Sequence, residues 1–158
     1  MKRIAATAGI VSALAVGAVA LKDYVYIDAD GGGVVASYVV RYDQLHRDGV
    51  KVAIRGECDS ACTVALGYDN VCLMPDATLG FHPGYIPIFF GIFGYVLDPT
   101  ASALMVKHYP VDAMEVIKAH GVDMFRDPGA ARDGIRWYPK LVRIKGSTFP
   151  DKYQCKRE

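Results

Sequence analysis

The amino-acid sequence predicts an α/β domain in which short buried strands alternate with helices. Three observations carry that expectation. Runs rich in β-branched and aromatic residues recur at 24–28, 51–55 and 71–74. A stretch with apolar residues at helical spacing lies between the first two runs. Glycine or proline punctuates the segments, so the order reads strand, helix, strand, helix, strand, the order of right-handed crossovers.

Residues 24–28 (Tyr-Val-Tyr-Ile-Asp) lead into Gly31, Gly32 and Gly33, which marks a buried strand ending at a glycine turn. From 34 to 47 the apolar positions 34, 35, 38, 39, 42 and 45 repeat at helical spacing, and Gly49 stops the helix. Residues 51–55 form a second strand. Residues 60–66 read as a short helix ended by Gly67. A third strand at 71–74 is turned by Pro75 and Asp76, and a fourth at 78–82 ends at His82. Residues 84–97 are apolar and aromatic, with Pro87, Phe89, Phe90, Ile92, Phe93 and Tyr95. That segment is too short and too broken to span a bilayer. It is a loop folded over the core, a flap over a groove, or an adhesive surface for another subunit. Helices at 100–108 and 111–120 follow, with Pro110 at a first-turn position and Gly121 as C-cap. Arg132-Asp133-Gly134 reads as a turn and 141–144 as a late strand.

A chain of 158 residues with 52% hydrophobic residues suffices for one domain with its own core, assigned to 22–158. The net charge of +1, with no long basic run, makes nucleic acid a poor partner. Met1-Lys2-Arg3 precedes an uncharged run at 4–21, and Ala18-Val19-Ala20 supplies the small residues a signal peptidase reads. Residues 1–21 are therefore an export signal, a membrane tether, or an Ala-rich packing helix of the domain itself. The first two place the domain in a periplasmic or extracellular compartment, or hold it on a membrane. Cys58, Cys62, Cys72 and Cys155 make an even count, so disulfides come first, with no pairing legible. Buried free thiols are one alternative. A zinc site from Cys58, Cys62, Cys72 and His82 is another, although the spacing matches no compact zinc template.

The chemistry centres on Gly56-Glu57-Cys58-Asp59-Ser60-Ala61-Cys62-Thr63. A serine hydroxyl is a weak nucleophile. It needs a base within hydrogen-bonding reach and donors for the oxyanion that forms on attack. Ser60 lies where a strand passes into a helix, whose start offers unused N–H groups. Standing alone, it is better read as a helix N-cap. It also departs from the G-x-S-x-G elbow, because Cys58 and Cys62 replace the glycines. His82 closes a strand 22 residues later, whereas His46, His108 and His120 sit on helices with nothing to recommend them. The glycine triplet lacks G-x-G-x-x-G spacing and a Walker lysine, so it does not read as a phosphate cradle. It is a plain turn, or it presents an N–H to an oxyanion. No motif calls for a cofactor or a metal.

Taken together these pieces resemble the proteolytic subunit of Clp protease, within the crotonase-like superfamily. Residues 27–43, with the glycines, the helix and Tyr42-Asp43, resemble the segment before that family's nucleophile. Residues 56–63 fall where the family carries its serine, and 74–83, from Met74-Pro75 to His82-Pro83, resemble its histidine strand. The likeness covers 24–121 and is closer to periplasmic members with a Cys-x-Ser-Ala-Cys motif and Gly-Phe-His. The resemblance implies a fold of repeated β-β-α type, trimmed at the N-terminus or with the apolar segment replacing a helix there. It implies Ser60 as nucleophile, His82 as general base, and the Gly33 and Ala61 N–H groups as oxyanion hole. It implies an acid on a later helix or turn, which is Asp133, with Asp127 and Asp123 as rivals. The implied activity is a serine hydrolase, a peptidase acting on peptide or protein, assembled as a homo-oligomer through residues 84–97 and the helices after them. The opposing expectation is a non-catalytic binding or assembly protein whose cysteines staple the Ser60 turn.

Overall fold

The structure is a computed structural model that describes residues 24–127, 135–136 and 140–156. Strand β1 (Tyr24–Asp30) pairs in parallel with β2 (Lys51–Asp59), and helix α1 (Val35–Arg47) makes the crossover between them. β2 has 9 residues and runs past the predicted end at residue 55. It is longer because its two halves serve different neighbours. Val52, Ala53 and Ile54 pair with β3 (Val71–Leu73), and Glu57, Cys58 and Asp59 pair with β4 (Thr78–Phe81). Gly56 lies between the halves, where the β1–β2 register shifts. A Cβ there would stand 1.9 Å from the Asp28 carbonyl oxygen, so only glycine lets β1 pass this close.

On the far side of β4, β8 (Val142–Lys145) pairs antiparallel, which makes the sheet mixed, in the order β1-β2-β4-β8 with β3 beside the first half of β2. The predicted late strand is this edge. Residues 84–97 prove to be a hairpin rather than an irregular loop. β5 (Tyr85–Pro87) and β6 (Tyr95–Leu97) flank a 3-10 turn at Ile88–Gly91, and β7 (Ile135–Arg136) adds a third antiparallel strand. Strands of three residues, one of them holding a proline, are too short to display a two-residue period.

Buried at the centre of the molecule is a 3-10 helix, Ser60–Gly67, where the sequence predicted a short helix. Ala61, Cys62, Thr63, Val64 and Ala65 are all fully buried. Its small side chains let neighbours approach closely: a Cβ on Gly67 would stand 2.2 Å from the His108 carbonyl oxygen at the end of α2 (Pro99–His108). Helix α3 (Val111–Ala119) adds Ala113 and Ile117 to the same core as Val52, Ile54, Leu79 and Phe81. Helix α2 starts on a designed-looking cap: Asp98 Oδ1 accepts from the Thr100 and Ala101 N–H groups at 2.9 and 3.1 Å, with Pro99 in the first turn. Asp98→Ala is expected to lower the unfolding free energy by about 1 kcal/mol in a urea titration.

All four cysteines are paired, Cys58 with Cys62 and Cys72 with Cys155. This overturns both alternatives to disulfides. No thiol remains free, and the proposed zinc ligands Cys58, Cys62 and Cys72 are not thiolates. Among the described residues no helix is long and apolar enough to cross a membrane. Residues 1–21 and the turn at Asp133 lie outside the described residues, and with them the export or tether segment.

Candidate functional site

β2 delivers the chain directly into Ser60, which adopts a left-handed backbone with φ 56°. A non-glycine residue in that conformation costs about 1–2 kcal/mol and persists only where its surroundings hold it. Four contacts do so. Thr63 Oγ1 donates to the Ser60 carbonyl oxygen at 2.6 Å. That uses the only Thr63 hydroxyl proton, so the buried Tyr109 hydroxyl donates to Thr63 Oγ1, also at 2.6 Å. The Cys58–Cys62 disulfide closes the turn around Ser60, and the buried Tyr42 hydroxyl packs 3.6 Å from Cys62 Sγ. The helix-cap reading of Ser60 fails. The N-cap residue is Asp59, no side chain caps this helix, and Ser60 is its first residue.

The glycine loop lies directly on this turn. Gly32 has φ 78°, and a Cβ on it would stand 2.6 Å from the Asp59 carbonyl oxygen, 2.7 Å from Ser60 Cβ and 2.9 Å from Ala61 N. Asp30, at the end of β1, anchors the loop. Its Oδ1 accepts from the Gly32 N–H at 3.0 Å and from the Tyr38 hydroxyl, and Arg41 approaches Oδ2 at 3.4 Å. Ala61 belongs to the first turn of its helix, whose N–H groups have no intrahelical acceptor. Gly33, the next residue, lines the same cavity as Ser60.

His82 follows immediately after β4, one residue beyond the observed end of the strand. Its Nδ1 meets the Pro83 carbonyl oxygen. A carbonyl can only accept, so Nδ1 carries the proton and Nε2 is left as the basic nitrogen. Burial pushes the His82 pKa below its ordinary 6.5, and the Pro83 carbonyl, Asp59 and Asp127 oppose that shift. The ring is therefore neutral at neutral pH. Because the folded pKa is depressed, the unfolded chain binds this proton first. Stability from this residue is then complete above about pH 6.5 and declines as pH falls through the window below it. Urea unfolding at pH 7.5 and 5.5 checks the sign: His82→Gln is expected to lose less stability on acidification than the unaltered protein.

Ser60, His82 and all three glycines line one cavity of about 700 Å³, within the usual size range of small-molecule and peptide sites. Among the described residues no hydrogen bond joins Ser60 to His82. Such bonds are often open before a ligand seats. The base of the hairpin forms one wall, through Tyr85, Ile86, Pro87 and Tyr95, as a flap over a groove would. The tip points elsewhere, with Phe89 66% exposed, Phe90 94%, Ile92 63% and Phe93 56%.

The acids fare differently. Asp133 lies outside the described residues. Asp123 belongs to a separate apolar cavity with Met124 and Phe125, and its Oδ1 accepts the Phe125 N–H at 2.9 Å. Asp127 is drawn to the site: its carboxylate accepts the Tyr85 hydroxyl, and the Tyr85 ring lies 5.5 Å from the His82 ring. Sequence reasoning missed Thr63, Tyr109, Tyr85 and Asp59. Only Asp59 had a signal, its place between a cysteine and the candidate serine. Among the described residues no cluster of His, Cys, Asp and Glu is arranged to hold a metal ion.

Compared with protein-family models, with curated proteins and with solved structures, the chain matches none of them.

Proposed function

We propose that the protein is a serine hydrolase of the Clp-protease type, on a crotonase-like variant of the α/β fold, acting on peptide or protein. One observation carries this reading. A serine held left-handed at the end of a parallel strand shares a cavity with a basic histidine nitrogen and a glycine loop pressed against the serine turn. Ser60 Oγ attacks the substrate carbonyl carbon and gives its proton to His82 Nε2. The Gly33 and Ala61 N–H groups receive the oxyanion, a contribution of about 100- to 1000-fold per donor. Collapse of the intermediate expels the leaving amine, which takes the proton from His82. Water then opens the acyl-enzyme by the same route in reverse. The two disulfides suit an oxidising compartment, and the domain works outside the cytoplasm.

Turnover of an activated ester or a short peptide library tests the reading. Ser60→Ala is expected to remove turnover, and His82→Ala to reduce it about 100-fold or more. Equal rates in all three proteins would sink it. A second reading, an assembly protein that does no chemistry, draws on the uncharged hairpin tip with its exposed Phe89, Phe90 and Phe93. It expects no turnover and loss of self-association in Phe90→Ser.

A further inference from the structure

We infer that Asp59, the residue before Ser60, supplies the negative charge that steadies His82 when it takes a proton, the part the sequence assigned to Asp133, Asp127 or Asp123. The catalytic meaning of this inference rests on the hydrolase reading, but its geometry does not.

Asp59 is 6% exposed, and its two oxygens are treated differently. Oδ2 accepts from Arg143 at 2.8 Å. Oδ1 is buried and has no hydrogen-bond partner. A buried carboxylate oxygen left unpaired is costly, and a fold that needed only the ion pair would pair or expose it. Its position explains why it is kept. Asp59, Gly80 and Arg143 are cross-strand neighbours on β2, β4 and β8. Oδ1 lies over the Gly80 α-carbon, 2.0 Å from where a Cβ would stand, so the carboxylate fills the place of a missing side chain. Gly80 precedes His82 by two residues, with His82 one residue past the end of β4. Asp59 directly precedes Ser60, which lines the same cavity as His82, so the carboxylate and the imidazole flank one site.

Among the described residues, Arg143, Glu57, Asp127 and Tyr85 are the other charged or titratable groups placed around this pair. Arg143 bridges Asp59 and Glu57, at 2.8 and 3.6 Å, from the solvent side, where its own side chain is 47% exposed. The Tyr85 ring lies 5.5 Å from the His82 ring, and its hydroxyl donates to the Asp127 carboxylate. The Asp59 charge raises the His82 pKa more than that of Asp127, although burial outweighs both. Asp59 makes no hydrogen bond to His82 and touches no substrate. It is a positioning residue that acts through the imidazolium. As Ser60 Oγ gives up its proton, His82 becomes positive, and the fixed carboxylate favours that state without needing to move.

The test is the His82 titration, followed by the NMR of its ring carbon-bound proton in the full chain, with fluorophosphonate labelling rates alongside. In Asp59→Asn the His82 midpoint is expected to move to lower pH, further than in Asp127→Asn. The labelling rate should fall about tenfold at neutral pH, with its pH profile following the midpoint. Should Asp59→Asn fail to fold, Arg143→Met removes the opposing cation at a half-exposed position and is expected to move the midpoint to higher pH. A folded variant of either kind with an unmoved His82 midpoint overturns the inference. Midpoints that move as stated in a protein that never labels uphold the charge coupling and overturn the hydrolase reading instead.

Discussion

Replacing Cys72 and Cys155 by serine is expected to lower the unfolding free energy by about 4.5 kcal/mol, the loop-closure entropy of a bridge that spans 83 positions. The structural reason is local as well. Cys72 sits on β3, a strand of three residues that pairs with β2 alone among the described strands. Its other side is secured by the C-terminal segment, where the Cys155 N–H donates to the Leu73 carbonyl at 2.9 Å. That segment carries Phe149 and Tyr153 into the core and lays the Gln154 amide across the Gly146 and Phe149 carbonyls. Without the bridge, the segment and the outer half of the sheet are free to open together. The same entropy relation gives about 2 kcal/mol for the Cys58–Cys62 bridge, which closes only 4 positions. The two double-serine variants should therefore differ clearly in urea midpoint, with the Cys72–Cys155 variant the weaker. Equal losses would show that the short bridge contributes more than its loop and the long one less.

Gly32→Ala is expected to damage both stability and the site. The substitution places a Cβ at φ 78° and within 3 Å of three atoms of the Asp59–Ala61 backbone and the Ser60 side chain. Those atoms belong to a buried turn tied by a disulfide and by the Thr63–Tyr109 hydroxyl pair, so they cannot retreat cheaply. Left-handed strain and the forced contact together should cost about 2–4 kcal/mol. The glycine loop should lift off the serine turn, and labelling of Ser60 should fall about 100-fold. Gly31→Ala is the control, because nothing lies within 4 Å of the Cβ it would add. A Gly32→Ala protein as stable and as reactive as Gly31→Ala would contradict the close approach described here.

Most of the main sheet was legible because its signals are local. The β-branched run of β1 and the helical spacing of α1 each announce one element, and both appear where expected. The convergence of Ser60, His82 and the glycine loop was also legible, since each ends a strand of the same parallel array. What stayed hidden depends on neighbours remote in sequence. The length of β2 is set by two partners in turn, and the hairpin strands β5 and β6 are too short for any period. The Ser60 backbone is held left-handed by Thr63, Tyr109 and a disulfide, so its conformation could not be read from the octapeptide. A serine at a strand-to-helix junction looks like a cap until those contacts are known. Cysteine pairing depends on β3 meeting the C-terminal segment, which only the folded chain reveals. Asp59 was passed over because an acidic residue in a strand gives no sign of burial, and its room comes from the bare α-carbon of Gly80 on the next strand.

The central claim is that Ser60 is a nucleophile activated by His82. A fluorophosphonate probe measures it most directly: the Ser60 oxygen displaces fluoride from phosphorus and His82 takes the proton. The oxidised protein is labelled, digested and mapped by mass. The expected result is one adduct on the peptide containing Ser60, absent in Ser60→Ala and sharply reduced in His82→Ala. A folded, fully disulfide-bonded protein that takes no label at Ser60, or takes it equally without His82, would contradict the account.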